Sequence, residues 1–335
     1  MREKRINLNS NDDFILLSAK ELRQLMIEIE KYDLEYRTTL NLPSDLTFGT
    51  ELEFEDANIN KVNKFIQYHF KNWVVAKDGT VETGGEINSP IMLDQTKDWQ
   101  ELKAICLFLK KINAKTNNCA GGHIHIGVNA LGNNIQSWKA FLKLYMAYES
   151  IIFRFAMGDK LTMRSYMGDY AMPIAADLKS KIQKINYFKS VIELPKFFYS
   201  QSRYHAINFE NIDFYDINTL KNKNTIEFRS PNATTNHIIW QNNINAFAKM
   251  ILSSKNLAFD VDFIDYKIKH EFVSYYQDRY LYKNVCLKNA LEFVDLIFDN
   301  NLDKIYFLKQ YLKSFQEDSI ISKSNNPPLA KKFTK

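Results

Sequence analysis

Cysteine is nearly absent from this sequence: Cys106, Cys119 and Cys286 are the three in 335 residues. So few and so scattered, they exclude a disulfide framework and a zinc cluster. Cys106, inside an apolar helical pattern, reads as a small core residue, not a nucleophile. No apolar run reaches the roughly 18 residues that a membrane-spanning helix needs. Met1-Arg-Glu-Lys-Arg-Ile-Asn7 is not followed by the continuous apolar stretch of a signal region. A soluble, cytoplasmic protein with no membrane partner is therefore the expectation. Extreme charge is missing as well: 44 Lys and Arg against 39 Asp and Glu give +5. That mild excess suits anionic substrates, and no nucleic-acid partner is expected from it. There is no internal repeat and no low-complexity linker, and no Walker-type Gly-x-x-x-x-Gly-Lys or kinase-like glycine loop occurs. Any nucleotide site has to be built by other means.

What is present is a set of short strand-like segments, each carrying charge among apolar neighbours. Thr47-Phe-Gly-Thr-Glu-Leu-Glu-Phe-Glu55 is the first. On a strand, residues two apart share a face, so Glu51 and Glu53 stand side by side. Two carboxylates held that close disfavour joint ionisation unless a proton or cation lies between them. A divalent metal held by the two is one reading; a half-exposed strand with an acidic face is the other. Asp78-Gly79, between apolar runs, signals a hairpin whose return strand carries Val81, Glu82 and, past Gly84-Gly85, Glu86. Glycines within a strand mark a bulge or a close approach, which would aim Glu86 into a site. Cys119-Ala-Gly-Gly-His-Ile-His-Ile-Gly127 puts His123 and His125 on one face. Arg203-Tyr-His-Ala-Ile-Asn-Phe209 and Thr225-Ile-Glu-Phe-Arg-Ser-Pro231 complete the set. Each alone has a plain structural reading, a core histidine or a surface ion pair. Together, carboxylates that suit a hard cation and arginines that match phosphate oxygens point to phosphoryl transfer from a nucleotide.

Helices are expected over residues 18 to 36, after a capping-box spacing at Ser18, over 59 to 70, 99 to 112 and 138 to 155, and from 235 to about 318. Strands cluster between 46 and 231, which fits an α+β fold: an antiparallel sheet with helices on one face and a helical C-terminal region. The expected organisation is an N-terminal helical extension (1–44), a catalytic domain (45–256), a helical cap (257–318) and a disordered tail (319–335). The loop with Arg164, Tyr166 and Asp169 is a candidate for substrate carboxylate capture; a surface ion-pair loop is the alternative.

In order, Gly49-Thr-Glu-Leu-Glu53, Asp78-Gly-Thr80 with Glu86-Ile-Asn-Ser-Pro90, Gly122-His-Ile-His125, Arg203 with Asn208, and Glu227-Phe-Arg229 resemble the amidoligase family, related to glutamine synthetase and the glutamate–cysteine ligases. Thr80 stands where a serine is usual and keeps the hydroxyl. The resemblance covers roughly residues 45 to 250 and implies a glutamine-synthetase-like sheet and an ATP-dependent carboxylate–amine ligase with an acyl-phosphate intermediate. It implies metal ligation by Glu51, Glu53, Glu86, His123 and Glu227, for Mg2+ or Mn2+. Nucleotide contacts fall to His125, Arg203 and Arg229, and the chemistry to Glu86, His123, Arg203 and Arg229. Asp78, Arg164 and Asn208 are the candidates for substrate. The partners are an amine donor and a carboxylate acceptor, small molecule, peptide or protein side chain, with oligomerisation left open. An amide hydrolase on the same scaffold and a non-catalytic nucleotide-binding protein are the alternatives, since a fold does not fix a function.

Overall fold

The computed structural model describes residues 24–313, apart from 26, 30, 80, 82, 117–118, 161–163, 165–166, 196–201 and 218–222. Among the described residues, alternating apolar and polar side chains build six strands: β1 (Phe48–Glu55), β2 (Val74–Ala76), β3 (Gly84–Asn88), β4 (Gly122–Gly127), β5 (Ile207–Asn208) and β6 (Thr225–Phe228). They form one antiparallel sheet in the order β2-β3-β1-β4-β6-β5. Antiparallel partners directly opposed point to the same side. The register therefore sorts the side chains before any helix is considered. Leu52 faces Ile87 and Gly122, and Ile124 faces Phe228. These residues share one face with Phe48, Phe54 and Ile126, and that face is buried.

Three helices cover it: α2 (Thr96–Lys111), α3 (Ile135–Ala156) and α5 (His237–Lys255). Trp99 of α2 stacks on Phe48, and Phe247 of α5 stacks on Phe228 with centroids 4.1 Å apart. Phe141 of α3 meets Phe228 edge-on. α1 (Ile59–His69) packs against β2, its N-terminus capped by the Asn58 side chain. It touches the sheet near Gly85, where a Cβ would sit 2.6 Å from Ala76 O and 2.7 Å from Ile59 Cδ1. Gly84 is tighter still: a Cβ there would fall 1.9 Å from Phe54 O. The glycine pair thus serves close backbone approach within a regular strand. The return strand starts at Gly84, so Val81 lies before it; Thr80 and Glu82 are outside the described residues.

Around α3, buried along nearly its whole length, pack α4 (Ala175–Tyr187), α5, α6 (Val261–His270), α7 (Leu287–Ile297) and α8 (Asn301–Leu312). A non-helical Tyr148 (φ −121°, ψ 18°) kinks α3. Next to it, the buried Glu149 carboxylate accepts from the N–H groups of Ile174 (2.7 Å) and Ala175 (3.0 Å) at the start of α4. The C-terminal region is helical, as expected, but 271–286 is turn and loop.

The N-terminal expectation fails in part. Residues 24, 25 and 27–29 are helical, whereas 32–42 are not. Tertiary partners override local propensity there. Arg37 N donates to Gln241 Oε1 at 2.8 Å, Arg37 pairs with Asp303, and the Leu40 and Leu42 N–H groups bond to Asp94. The tail from 319 lies outside the described residues. Among the described residues no helix is long and apolar enough to cross a membrane.

Candidate functional site

The register that buries Leu52 and Ile124 sends their neighbours to the opposite face, where three transverse rows form. Glu86 and Glu53 face each other; Asn88, Glu51 and His123 form the second row; Gly49, His125, Glu227 and Asn208 form the third. Strand alternation alone therefore gathers four carboxylates, two imidazoles and two carboxamides. The rows are compact. His123 Nδ1 is 3.1 Å from Glu51 Oε2 and 3.6 Å from Glu227 Oε1, and its Nε2 is 3.6 Å from Glu53 Oε1. His125 Nε2 lies 3.0 Å from Glu51 Oε1, and its Nδ1 3.0 Å from Thr225 Oγ1. Glu53, His123 and Glu227 are each less than 5% exposed.

Backbone and side-chain donors hold the carboxylates. Gly121 N donates to Glu53 Oε2 at 2.6 Å, Asn88 Nδ2 to Glu86 Oε1 at 2.6 Å, and Asn208 Nδ2 to Glu227 Oε2 at 2.8 Å. Arg229 Nη1 pairs with Glu227 Oε1, while its Nε donates to Tyr170 O at 3.0 Å. Lys223 Nζ reaches Glu51 Oε1 at 3.6 Å from an exposed position. Arg164 is buried beside Glu53. Its Nη2 donates to Arg229 O at 2.9 Å.

The electrostatics divide the carboxylates. Burial would raise the Glu51 pKa, but hydrogen bonds and charge from His123 and His125 outweigh it and hold the carboxyl well below its usual range. Glu227 is likewise lowered, since the imidazoles and Arg229 overcome its burial. Glu86 is pushed up to about 7 by burial and the Glu51 charge, against the Asn88 hydrogen bond. A face on which Glu51 is held ionised while Glu86 in the adjacent row resists ionisation is short of positive charge. Both Nε2 atoms of His123 and His125 are buried without an aligned hydrogen bond. Three overlapping sets have ligand atoms close enough to share a cation: Glu51, Glu86 and His123; Glu51, His125 and Glu227; Glu53, Asp78 and Glu86. Oxygen-rich sets with one imidazole or none suit a hard divalent ion. The donor set fits such a cation.

The structure thus brings together Glu51, Glu53, Asp78, Glu86, His123, His125, Asn208, Glu227, Arg229 and Arg164. It does not bring in Arg203. The segment expected as a strand from 203 turns at Ser202–Tyr204 and is strand only over Ile207–Asn208; Arg203 is exposed, its guanidinium over the Tyr204 ring. The reason is a non-local pairing: Met172 N donates to Tyr204 O, and Ala206 N donates to Met172 O. Tyr166 lies outside the described residues, and Asp169 sits in the short helical turn Met167–Tyr170. Sequence reasoning passed over Asn88, Gly121, Lys223 and Thr225. Asn88 was accessible to it, two residues from Glu86 and so on the same face; Lys223 sits in a Lys-Asn stretch with the look of plain surface. A cavity of about 200 Å3 lies elsewhere, on the helical side, lined by Met146, Glu149, Lys267 and Phe272 among others. The candidate site is instead the sheet face opposite the helices.

Residues 74–251, just over half of the chain, match the family model described as "Putative amidoligase enzyme". No curated protein matches the chain.

Proposed function

The chain belongs to the amidoligase family, and on that premise we propose that it is an ATP-dependent carboxylate–amine ligase working on a glutamine-synthetase-like sheet. The observation that carries this reading is the one sheet face on which Glu51, Glu53, Glu86, His123, His125 and Glu227 converge with Arg229 at its edge. Glu51, Glu53, Glu86, His123 and Glu227 would hold Mg2+ or Mn2+. His125 and Arg229 would meet the nucleotide phosphates, with Asn208 fixing the Glu227 carboxylate through its hydrogen bond. When bound, the cation supplies charge neutralisation for the phosphoryl oxygens.

In the first step an acceptor carboxylate oxygen bonds to the terminal phosphorus of ATP as the bridging P–O bond breaks, and ADP leaves. In the second an amine nitrogen attacks the acyl carbon, phosphate departs with the electron pair of the C–O bond, and the nitrogen loses a proton to give the amide. Both steps place negative charge on phosphoryl oxygens, which is where a preorganised arginine acts. The partners are an amine and a carboxylic acid, in a cytoplasmic setting where ATP is at hand.

The test is to incubate the protein with ATP, magnesium and a pool of amino acids, amines and acidic peptides while following phosphate release. Amine-stimulated release is the expected result. Absence of nucleotide turnover with every acceptor, alongside release of ammonia from an amide, would replace the ligase with a hydrolase.

A further inference from the structure

The strongest unexplained feature beside the carboxylate rows is an arginine where a side chain should be. A Cβ on Gly121 would stand 1.6 Å from Arg164 Nη1 and 2.8 Å from His123 Nε2. The guanidinium occupies the volume that any other residue at 121 would fill. At that separation a side chain on residue 121 would have to displace the guanidinium, so Arg164 occupies space that position 121 leaves open for lack of a side chain. Arg164 is 6% exposed. Its Nη2 is held by Arg229 O at 2.9 Å. A buried guanidinium next to a buried imidazole nitrogen that lacks an aligned hydrogen bond is a seat for an oxyanion.

We propose that Arg164, seated over Gly121, binds the terminal phosphate of the nucleotide together with Arg229, and that Gly121 is the positioning residue for it. Arg203, exposed on its turn, has no part in that contact. Two observations decide between the arginines. Arg164 adjoins Glu53, whose carboxylate shares a cation-sized set with Asp78 and Glu86, so a bound phosphoryl group would be bracketed by cation and guanidinium. Gly121 also donates its N–H to Glu53 at 2.6 Å, so one glycine fixes both sides of the bracket. The naming of the oxyanion as a nucleotide phosphate rests on the ligase reading; the seat itself does not.

Isothermal titration of the full chain with Mg·AMP-PNP, Mg·ADP and inorganic phosphate tests both parts. Arg164→Ala should weaken Mg·AMP-PNP and phosphate at least about tenfold and leave Mg·ADP within about twofold, the cost of one charge-assisted contact to the terminal phosphate alone. Gly121→Ala should show the same split, and Arg203→Ala should show none. Because Gly121→Ala alone can fail to fold, it is also made with Arg164→Ala, where the guanidinium no longer competes for the space; no further loss of phosphate affinity is expected there. An additional tenfold loss in the double variant would remove Gly121 as the seat. Arg164→Ala with wild-type affinities, or with equal losses for Mg·AMP-PNP and Mg·ADP, would overturn the assignment. Wild-type protein that binds phosphate through Arg164 but neither nucleotide would leave the seat standing and sink the ligase reading; protein that binds none of the three would end both.

Discussion

The two faces of the sheet are built from the same strands, residue by residue in alternation, yet they answer to different physics. On the helix side, Phe48, Leu52, Phe54, Ile124 and Phe228 are at most 2% exposed and belong to one apolar core. Burial of apolar area accounts for them, and each is replaceable by another side chain of similar volume. On the other side, charged groups are buried almost as deeply, and there burial alone is unfavourable. What holds them is pairing, and the pairing is incomplete: both histidine Nε2 atoms lack an aligned bond, and Glu86 is driven toward neutrality. One face is optimised for the fold; the other tolerates strain of the kind that a bound ligand relieves.

Glu149 extends the lesson to carboxylates. Like Glu51 it is buried, but its donors are neutral: two backbone N–H groups and the Tyr282 hydroxyl at 3.0 Å. Burial wins and its pKa rises to about 7, whereas Glu51, facing two imidazoles, moves the other way. The sign of the shift follows the charge of the partners, not the depth of burial.

The contrast between faces breaks first, if it is wrong, at Phe228. Phe228→Ala should cost about 3–5 kcal/mol of stability in denaturant unfolding, since Phe141 and Phe247 both lose their contact. Next comes Glu149→Gln. A carboxyl with a raised folded-state pKa stabilises fully below about 4.5 and loses that contribution as pH rises through about 7. The substitution should therefore flatten the stability–pH curve between those values, removing a slope worth about 3 kcal/mol. Glu51→Gln should change the stability of the metal-free protein by only about 1 kcal/mol, because the lost attraction to the imidazoles is offset by relief of repulsion with Glu86. A loss as large as that of Phe228→Ala would mean that the acidic face is structural after all. Arg203→Ala should stay within about 0.5 kcal/mol, as an exposed substitution.

Much of this was legible in the sequence, and the reason is periodicity. A period of two fixes which residues share a face, so Glu51 with Glu53, His123 with His125 and Glu227 with Arg229 could be paired before any coordinates. Helices with a clear apolar stripe, such as Thr96–Lys111, were equally plain. Periodicity says nothing of which distant segments meet, and the discrepancies at Arg203, at residues 32–42 and at Arg164 arise from such contacts. Arg203 alternates like a strand residue, but Met172 captures its neighbours and turns the chain. Residues 32–42 give up a helix because Gln241, Asp303 and Asp94, all distant in sequence, take their polar groups. Arg164 belongs beside Glu53 only because a glycine 43 positions earlier leaves it room, a relation that no local pattern encodes.

The central claim is that the acidic face holds a nucleotide-bound cation, and one melting experiment addresses it directly. Wild-type protein and the Glu51→Gln, Glu53→Gln double variant are heated with and without ATP and magnesium, after circular dichroism has shown that both are folded. Ligand stabilisation follows affinity for the folded state. Mg·ATP is expected to raise the Tm of the wild type and leave that of the variant unmoved; an equal rise in both would mean that Glu51 and Glu53 hold no such cation.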